Sequence, residues 1–226
     1  MRKPLAAALT IAALAIGLAG CGSGTSGGQT LSPASAGTST PCPTTTPTVA
    51  KPAQFHAPKV TVARSAYTMK IAIACKGTIA IAMNAAKTPA TVNSFAFLAA
   101  HHWFDNTPCH RLTTSGIFVL QCGDPTGTGT GGPGYTIPDE NLTGAKYPAG
   151  TVAMANTGQP HTGGSQFFLV YKNTSLPPQY TPFGRVTSGM GILQSIAAAG
   201  SDNSNGAGDG HPVKPVVISS LTVTKG

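Results

Sequence analysis

The sequence predicts a mainly β domain: a closed antiparallel barrel with one α-helix over each end. Three observations carry this. Short stretches with alternating or β-branched residues recur between Thr68 and Val223, most of them bounded by Gly, Pro or Asn. Only two stretches carry the 3.6-residue apolar period of a helix. The first two strand-like stretches are joined by Lys76-Gly77, a turn short enough for a hairpin. Many short strands with two helices favour a closed sheet over a layered α/β fold.

Taken in order, Thr68–Ala74 and Thr78–Met83 form the opening hairpin. Thr88-Pro89 then matches an N-cap followed by proline at the first helical position. Val92, Phe95, Leu98 and Ala99 place one apolar face on a helix ending near His101. Further short strands are expected around Pro108–Leu112, Phe118–Gln121, Thr151–Met154, Gln166–Tyr171 and Thr181–Val186. The second helix spans Gly189–Ala199, with Met190, Leu193, Ile196 and Ala197 on one face and Gly200 as its stop. Val216–Val223 alternates as the last strand.

This domain occupies about 61–226, a usual size for one domain. Ahead of it the composition changes. Met1-Arg2-Lys3 precedes an apolar run from Leu5 to Leu18, too short to span a bilayer and matched to the core of a secretory signal. The run ends in Leu18-Ala19-Gly20-Cys21, which resembles the lipobox of bacterial lipoproteins. That resemblance implies a signal peptide over 1–20, a diacylglyceryl group on Cys21, and a protein held on the extracytoplasmic face of the cell membrane. More than one acyl chain makes such anchoring stable. Residues 21–60 are rich in Ser, Thr, Gly and Pro, and such a segment reads as a flexible tether, stiffer where proline is dense.

Formal charge is +8. Setting Arg2 and Lys3 aside leaves twelve bases against six acids, or +6. The bases are scattered rather than clustered, which excludes a nucleic-acid patch and leaves a solvated surface. Gly127-Thr128-Gly129-Thr130-Gly131-Gly132 matches G-x-G-x-x-G, but Pro133-Gly134 follows where a helix must open, so dinucleotide binding is excluded. The loop reads instead as a flexible wall of a substrate cleft. Ser165 lies outside any G-x-S-x-G elbow, which argues against a serine hydrolase. His101-His102 are adjacent rather than at ligand spacing, so neither a metal nor another cofactor is expected.

The chemistry concentrates between Cys109 and Phe168. Arg111, in an expected strand, is a rigid, always-charged fork of donors. A surface ion pair is its plain alternative, though only six acids are available. Phe118, Val119 and Phe168 would floor an apolar pocket. Strand parity puts Gln166 with Phe168 on one face and Phe167 on the other, an arrangement that suits a lined cleft better than a core. An arginine, amides and an apolar floor, with no nucleophile, suit work on a backbone bond by hydrogen bonding alone.

His110-Arg111, Phe118-Val119-Leu120-Gln121-Cys122-Gly123-Asp124, Met154-Ala155-Asn156 and Gly163-Gly164-Ser165-Gln166-Phe167-Phe168 resemble the signature blocks of the cyclophilin family of peptidyl-prolyl cis/trans isomerases. The resemblance covers about Thr68 to Val223. It implies an eight-stranded antiparallel barrel capped by two helices, and isomerisation of X–Pro bonds, here in proline-containing exported or unfolded polypeptides. It assigns Arg111 as the catalytic donor and Gln121 as its holder. His110, Phe118, Val119, Ala155, Asn156, Thr157, Gln166 and Phe168 become substrate-binding positions. Leu176 stands where many members have tryptophan and Tyr180 where many have histidine, which bears on drug binding and substrate preference. Two extra residues separate Arg111 from Phe118, and one more lies between Met154 and Gln166. The chain is expected to act as a monomer; a non-catalytic module that binds proline-containing segments is the alternative.

In an oxidising compartment, Cys109 and Cys122 flank an expected hairpin and can face each other within disulfide reach. That leaves Cys42 and Cys75 as a second candidate pair, pinning the tether to the barrel.

Overall fold

The computed structural model describes residues 42–47 and 54–226. The expected signal segment, Cys21 and most of the expected tether lie outside the described residues.

Among the described residues, ten strands form one sheet: β1 (Tyr67–Ile73), β2 (Gly77–Met83), β3 (Thr107–Pro108), β4 (Arg111–Thr113), β5 (Val119–Cys122), β6 (Thr151–Met154), β7 (Phe167–Val170), β8 (Pro182–Ser188), β9 (Asp209–Gly210) and β10 (Val217–Lys225). Their order is β3-β10-β1-β2-β8-β6-β7-β5-β4-β9, and every pairing is antiparallel. β3 and β4 are two ends of one stretch of chain, one bonded to β10 and the other to β5. The sheet therefore curls until residues 107–113 join its two margins. Counting that stretch once and leaving out β9 gives the eight expected strands. β9 is a two-residue addition that the sequence reading assigns to no element.

Alternation does the sorting. Met69, Ile71 and Ile73 of β1 and Ile79, Ile81 and Met83 of β2 point into the barrel and are almost wholly buried. The helix α1 (Pro89–Ala100) lays Val92, Phe95 and Leu98 over this interior. Phe95 meets Phe104, Phe167 and Phe183 at ring distances of 5.3, 5.4 and 4.7 Å. Helix α2 (Met190–Ala198) inserts Leu193 and Ile196. It starts from Gly189, where φ is 90° and an added Cβ would sit 2.8 Å from the Ile79 Cα. Only glycine serves there.

The N-terminus of α1 departs from expectation. Thr88 occupies the N-cap position but turns its hydroxyl back to the Asn84 carbonyl (2.7 Å). The first-turn N–H groups of Ala90 and Thr91 donate instead to the Glu140 carboxylate, at 3.1 and 2.9 Å. A carboxylate there satisfies orphan donors and complements the helix dipole.

Disulfides join Cys42 to Cys75 and Cys109 to Cys122. The second ties the β3–β4 stretch to β5. Residues 54–61 lie along α1: Lys59 O accepts from the Asn93 amide (3.0 Å), and Thr61 N donates to it (2.9 Å). Phe55 seats its ring among Phe97, His101 and Trp103, and its N–H donates to Pro133 O (2.8 Å). This strap begins ahead of the boundary at 61 read from composition.

Candidate active site

One row of cross-strand partners assembles the site. Arg111 on β4 faces Gln121 on β5; Gln121 faces Phe168 on β7; Phe168 faces Ala153 on β6. Directly opposed residues share a face, so this row lies on the outside of the barrel. Their neighbours Leu112, Leu120, Phe167, Leu169 and Val152 point inward. A second, smaller apolar cluster forms outside: Val119, Tyr147, Ala153, Phe168 and Val170, with Ile117, Ala155, Leu176 and Tyr180 around it.

That cluster is hollow. A pocket of about 140 Å³ is lined by Arg111, Ile117, Val119, Gln121, Ala155, Asn156, Phe168, Leu176 and Tyr180. Phe168 is packed edge-on to Tyr180 at 5.6 Å. Beside it lies a larger recess of about 710 Å³, walled by the glycine-rich loop, Trp103, Gln54 and Gln166, and sharing Gln121, Ala155 and Asn156 with the pocket. Thr157 borders this recess, its N–H held by the Thr162 hydroxyl (3.0 Å). The Asn156 side chain donates to Gln179 O (2.8 Å).

Polar contacts link the two spaces. Arg111 Nη1 donates to Gln121 Oε1 (3.4 Å), Gln121 Nε2 to Gln166 Oε1 (2.9 Å), and Gln166 Nε2 to the carbonyls of Gly129 (2.8 Å) and Gly131 (3.0 Å). Because arginine can only donate, it orients both amides in series. Gly123 lets this part of the sheet close: φ is 91°, and a Cβ would collide with Ser165 O. Asp124 then anchors the loop. Its fully buried carboxylate accepts from the N–H groups of Thr126, Gly129 and Gly131, at 2.8, 2.7 and 3.0 Å. Burial pushes its pKa up, but a bond from the Thr126 hydroxyl (2.7 Å), joined by those from the N–H groups, outweighs it and the net shift is downward. The loop read from sequence as a flexible wall is a wall pinned from beneath.

Two expected substrate residues face elsewhere. His110 precedes Arg111 and, by alternation, turns under the loop, 5% exposed, with neither ring nitrogen hydrogen-bonded. Burial lowers its pKa. Phe118 likewise turns from the pocket: its ring meets Tyr171 at 6.0 Å, under the Lys172 ammonium at 4.3 Å. Ile117, on the same parity as Val119 and Gln121, takes the pocket position. The two extra residues after Arg111 obscure this shift in the sequence.

The sequence reading also misses Asp209. The Arg111 Nε and Nη2 donate to its two carboxylate oxygens at 2.8 and 2.6 Å. The ion pair weighed against a functional arginine and the functional setting are thus both present. The bonds to Asp209 raise the Arg111 pKa, and Arg111 lowers that of Asp209. No local signal connects residues 98 positions apart.

Comparisons agree with this geometry. Residues 68–223 match the family model described as cyclophilin type peptidyl-prolyl cis-trans isomerase/CLD. The chain is 48% identical over 160 residues to a probable peptidyl-prolyl cis-trans isomerase B of Mycobacterium leprae, covering 65% of this chain and 53% of that protein. It is 46% identical to the protein of the same description from Mycobacterium tuberculosis, over 65% of this chain and 51% of the other. It thus spans about half the length of these relatives. The structure resembles a Cryptosporidium parvum cyclophilin type peptidyl-prolyl cis-trans isomerase, with a TM-score of 0.60, 27% identity, and coverage of 71% of this chain and 99% of the other. The same protein determined in the presence of the dipeptide Ala-Pro matches equally, at 28% identity and a TM-score of 0.60 over 70% and 99% of the two chains. The ordered blocks from His110 to Phe168, the curled sheet between two helices, and the arginine beside an apolar pocket have one source: this chain belongs to the cyclophilin-type peptidyl-prolyl cis-trans isomerase family.

Proposed function

We propose that this protein accelerates cis/trans rotation about X–Pro bonds in exported polypeptides while held on the extracytoplasmic face of the cell membrane by a lipid on Cys21. The observation that carries the catalytic part is the juxtaposition of Arg111 with a 140 Å³ pocket lined by Ile117, Val119, Phe168 and Leu176. The pocket suits one small ring. The arginine at its rim is held by Gln121 and Asp209, with one N–H on Nη1 and one on Nη2 uncommitted among the described residues.

The physics of the amide sets the task. Partial double-bond character gives a barrier of about 18–20 kcal/mol, while the two X–Pro isomers differ by only ~0.5–1 kcal/mol. Val119, Phe168, Ile117, Leu176 and Tyr180 grip the ring. A donor from Arg111 to the prolyl nitrogen withdraws its lone pair from resonance. That bond strengthens as the amide twists, so it stabilises the transition state more than either ground state. Ala155, Asn156 and Thr157 run along the cleft edge, where a substrate backbone can lie.

A protease-coupled or NMR-exchange assay on an Ala-Pro peptide tests the reading. Arg111→Ala should lose about 10²–10³ in kcat/KM with melting temperature retained. Arg111→Lys should rescue poorly, since a flexible point charge cannot replace a planar fork. A wild type that binds proline peptides without turning them over would identify a non-catalytic binding module. Anchoring is tested separately: a Cys21→Ser protein recovered in the membrane fraction at the wild-type level would exclude the lipid.

A further inference from the structure

We infer that Asp209 is a positioning residue for Arg111, holding the guanidinium plane so that its remaining N–H groups face the pocket. This rests on the isomerase reading above and adds to it a residue from a distant loop.

Gln121 alone holds the arginine weakly. Its single contact is 3.4 Å long, at the edge of hydrogen-bonding range. A lone contact at one end of a guanidinium leaves the plane free to swing about it. Asp209 takes Nε and Nη2 together in a side-on fork, the arrangement that fixes a plane as well as a distance. The fork occupies the side of the guanidinium opposite Gln121, so the two partners hold it from both ends.

The loop that delivers Asp209 is built to stay put. Strand β9 sets Asp209 opposite Thr113 and Gly210 opposite Leu112, so the loop is bonded to the strand that carries Arg111. The Asp202 carboxylate accepts from Ser204 N (3.0 Å) and His211 N (2.7 Å), closing the loop across its base. Asn203 Oδ1 accepts from Gly208 N (2.7 Å). The Asn205 amide donates to Asp209 Oδ1 (3.3 Å), orienting the carboxylate itself. His211 Nδ1 meets the carbonyl of His110, the residue before Arg111, at 2.7 Å. Gly210 admits no side chain, since a Cβ would lie 2.6 Å from Ser204 N. A chain with six acids thus commits one, through a braced loop, to the arginine of its cleft.

The test uses the full-length protein as wild type, Asp209→Asn, Asp209→Glu, Arg111→Ala and the Arg111→Ala/Asp209→Asn double variant. kcat and KM for an Ala-Pro peptide are measured separately. Asp209→Asn should lower kcat about tenfold with KM changed less than about twofold, because the donors remain but lose their aim. In the Arg111→Ala background the same change should cost less than about twofold, the non-additivity of a residue acting through another. Asp209→Glu should restore part of the loss. The Arg111 side-chain Nε–Hε resonance should exchange slowly in the wild type and broaden in Asp209→Asn. That signature reads the fork whether or not the wild type turns over, so an inactive wild type would end the isomerase reading without deciding this one. Wild-type kcat in Asp209→Asn, the same tenfold loss with and without Arg111, or an unchanged Hε resonance would each overturn the inference. If Asp209→Asn fails to fold, Asp209→Glu and its resonance carry the test.

Discussion

The two spaces of the cleft are made by different means. The small pocket is a product of sheet register: Val119, Phe168 and Gln121 reach it because β5, β6 and β7 pair as they do. The large recess is made by loops. Its walls are the glycine-rich loop, pinned by Asp124, and the strap that carries Gln54 and Phe55. The difference teaches where change is tolerated. A pocket floor set by paired strands shifts its residues to the other face only if register alters, whereas a recess set by loops can be reshaped by one anchor.

Asp124→Asn should break the comparison hardest. Its buried carboxylate serves three backbone N–H groups, and weakening it should cost about 2–3 kcal/mol, read as a lower midpoint in urea. Because its folded pKa is lowered, Asp124 contributes stability above the ordinary carboxylate value, and that contribution is lost as pH falls through the folded value. Acid-unfolding curves of wild type and Asp124→Asn should therefore converge at low pH.

Next in size is a pair of variants on the pocket. Ile117→Ala should raise KM for Ala-Pro peptides about fivefold by opening the pocket wall, while Phe118→Ala should change it less than about twofold. The reverse order in steady-state kinetics would return Phe118 to the pocket. Phe55→Ala sharpens the other side. With its ring removed from Phe97, His101 and Trp103, binding of long peptides should weaken about threefold in titration calorimetry. Turnover of a four-residue Ala-Pro substrate should be unchanged.

The smallest effect belongs to His110. Burial lowers its pKa, so the folded state favours the neutral ring. Below the ordinary histidine value the unfolded chain binds the extra proton, and stability falls as pH drops through that range. His110→Gln should flatten the slope of melting temperature between about pH 7 and 5 by a degree or two.

Much of this was legible in the chain. Alternation located the strands that carry Arg111, Gln121 and Phe168 within a residue or two, though not β9, and parity separated Phe168 from Phe167 correctly. Arg111 and Gln121 stood out because their blocks are specific. The same alternation would have turned His110 and Phe118 away from the cleft, since they flank Arg111 and Val119, but motif matching treats neighbours as a set. The Glu140 cap on α1 and the Asp209 fork on Arg111 left no local trace, because each is a contact between residues 49 or more positions apart.

The sequence by itself determined the family, through its signature blocks, and the periodicities, and with the periodicities the antiparallel sheet and the two helices. The sheet and the helices are local in origin. Those follow from steric and hydrophobic preferences that act over a few residues. Only the tertiary structure decided that Ile117 and not Phe118 lines the pocket, that Asp124 pins the loop, that Gln54 walls the recess, and that Asp209 holds Arg111. Hydrogen bonds and ion pairs are short-ranged in space but indifferent to separation along the chain. Which acid meets which base is therefore settled only when the sheet has curled and the loops have closed upon it.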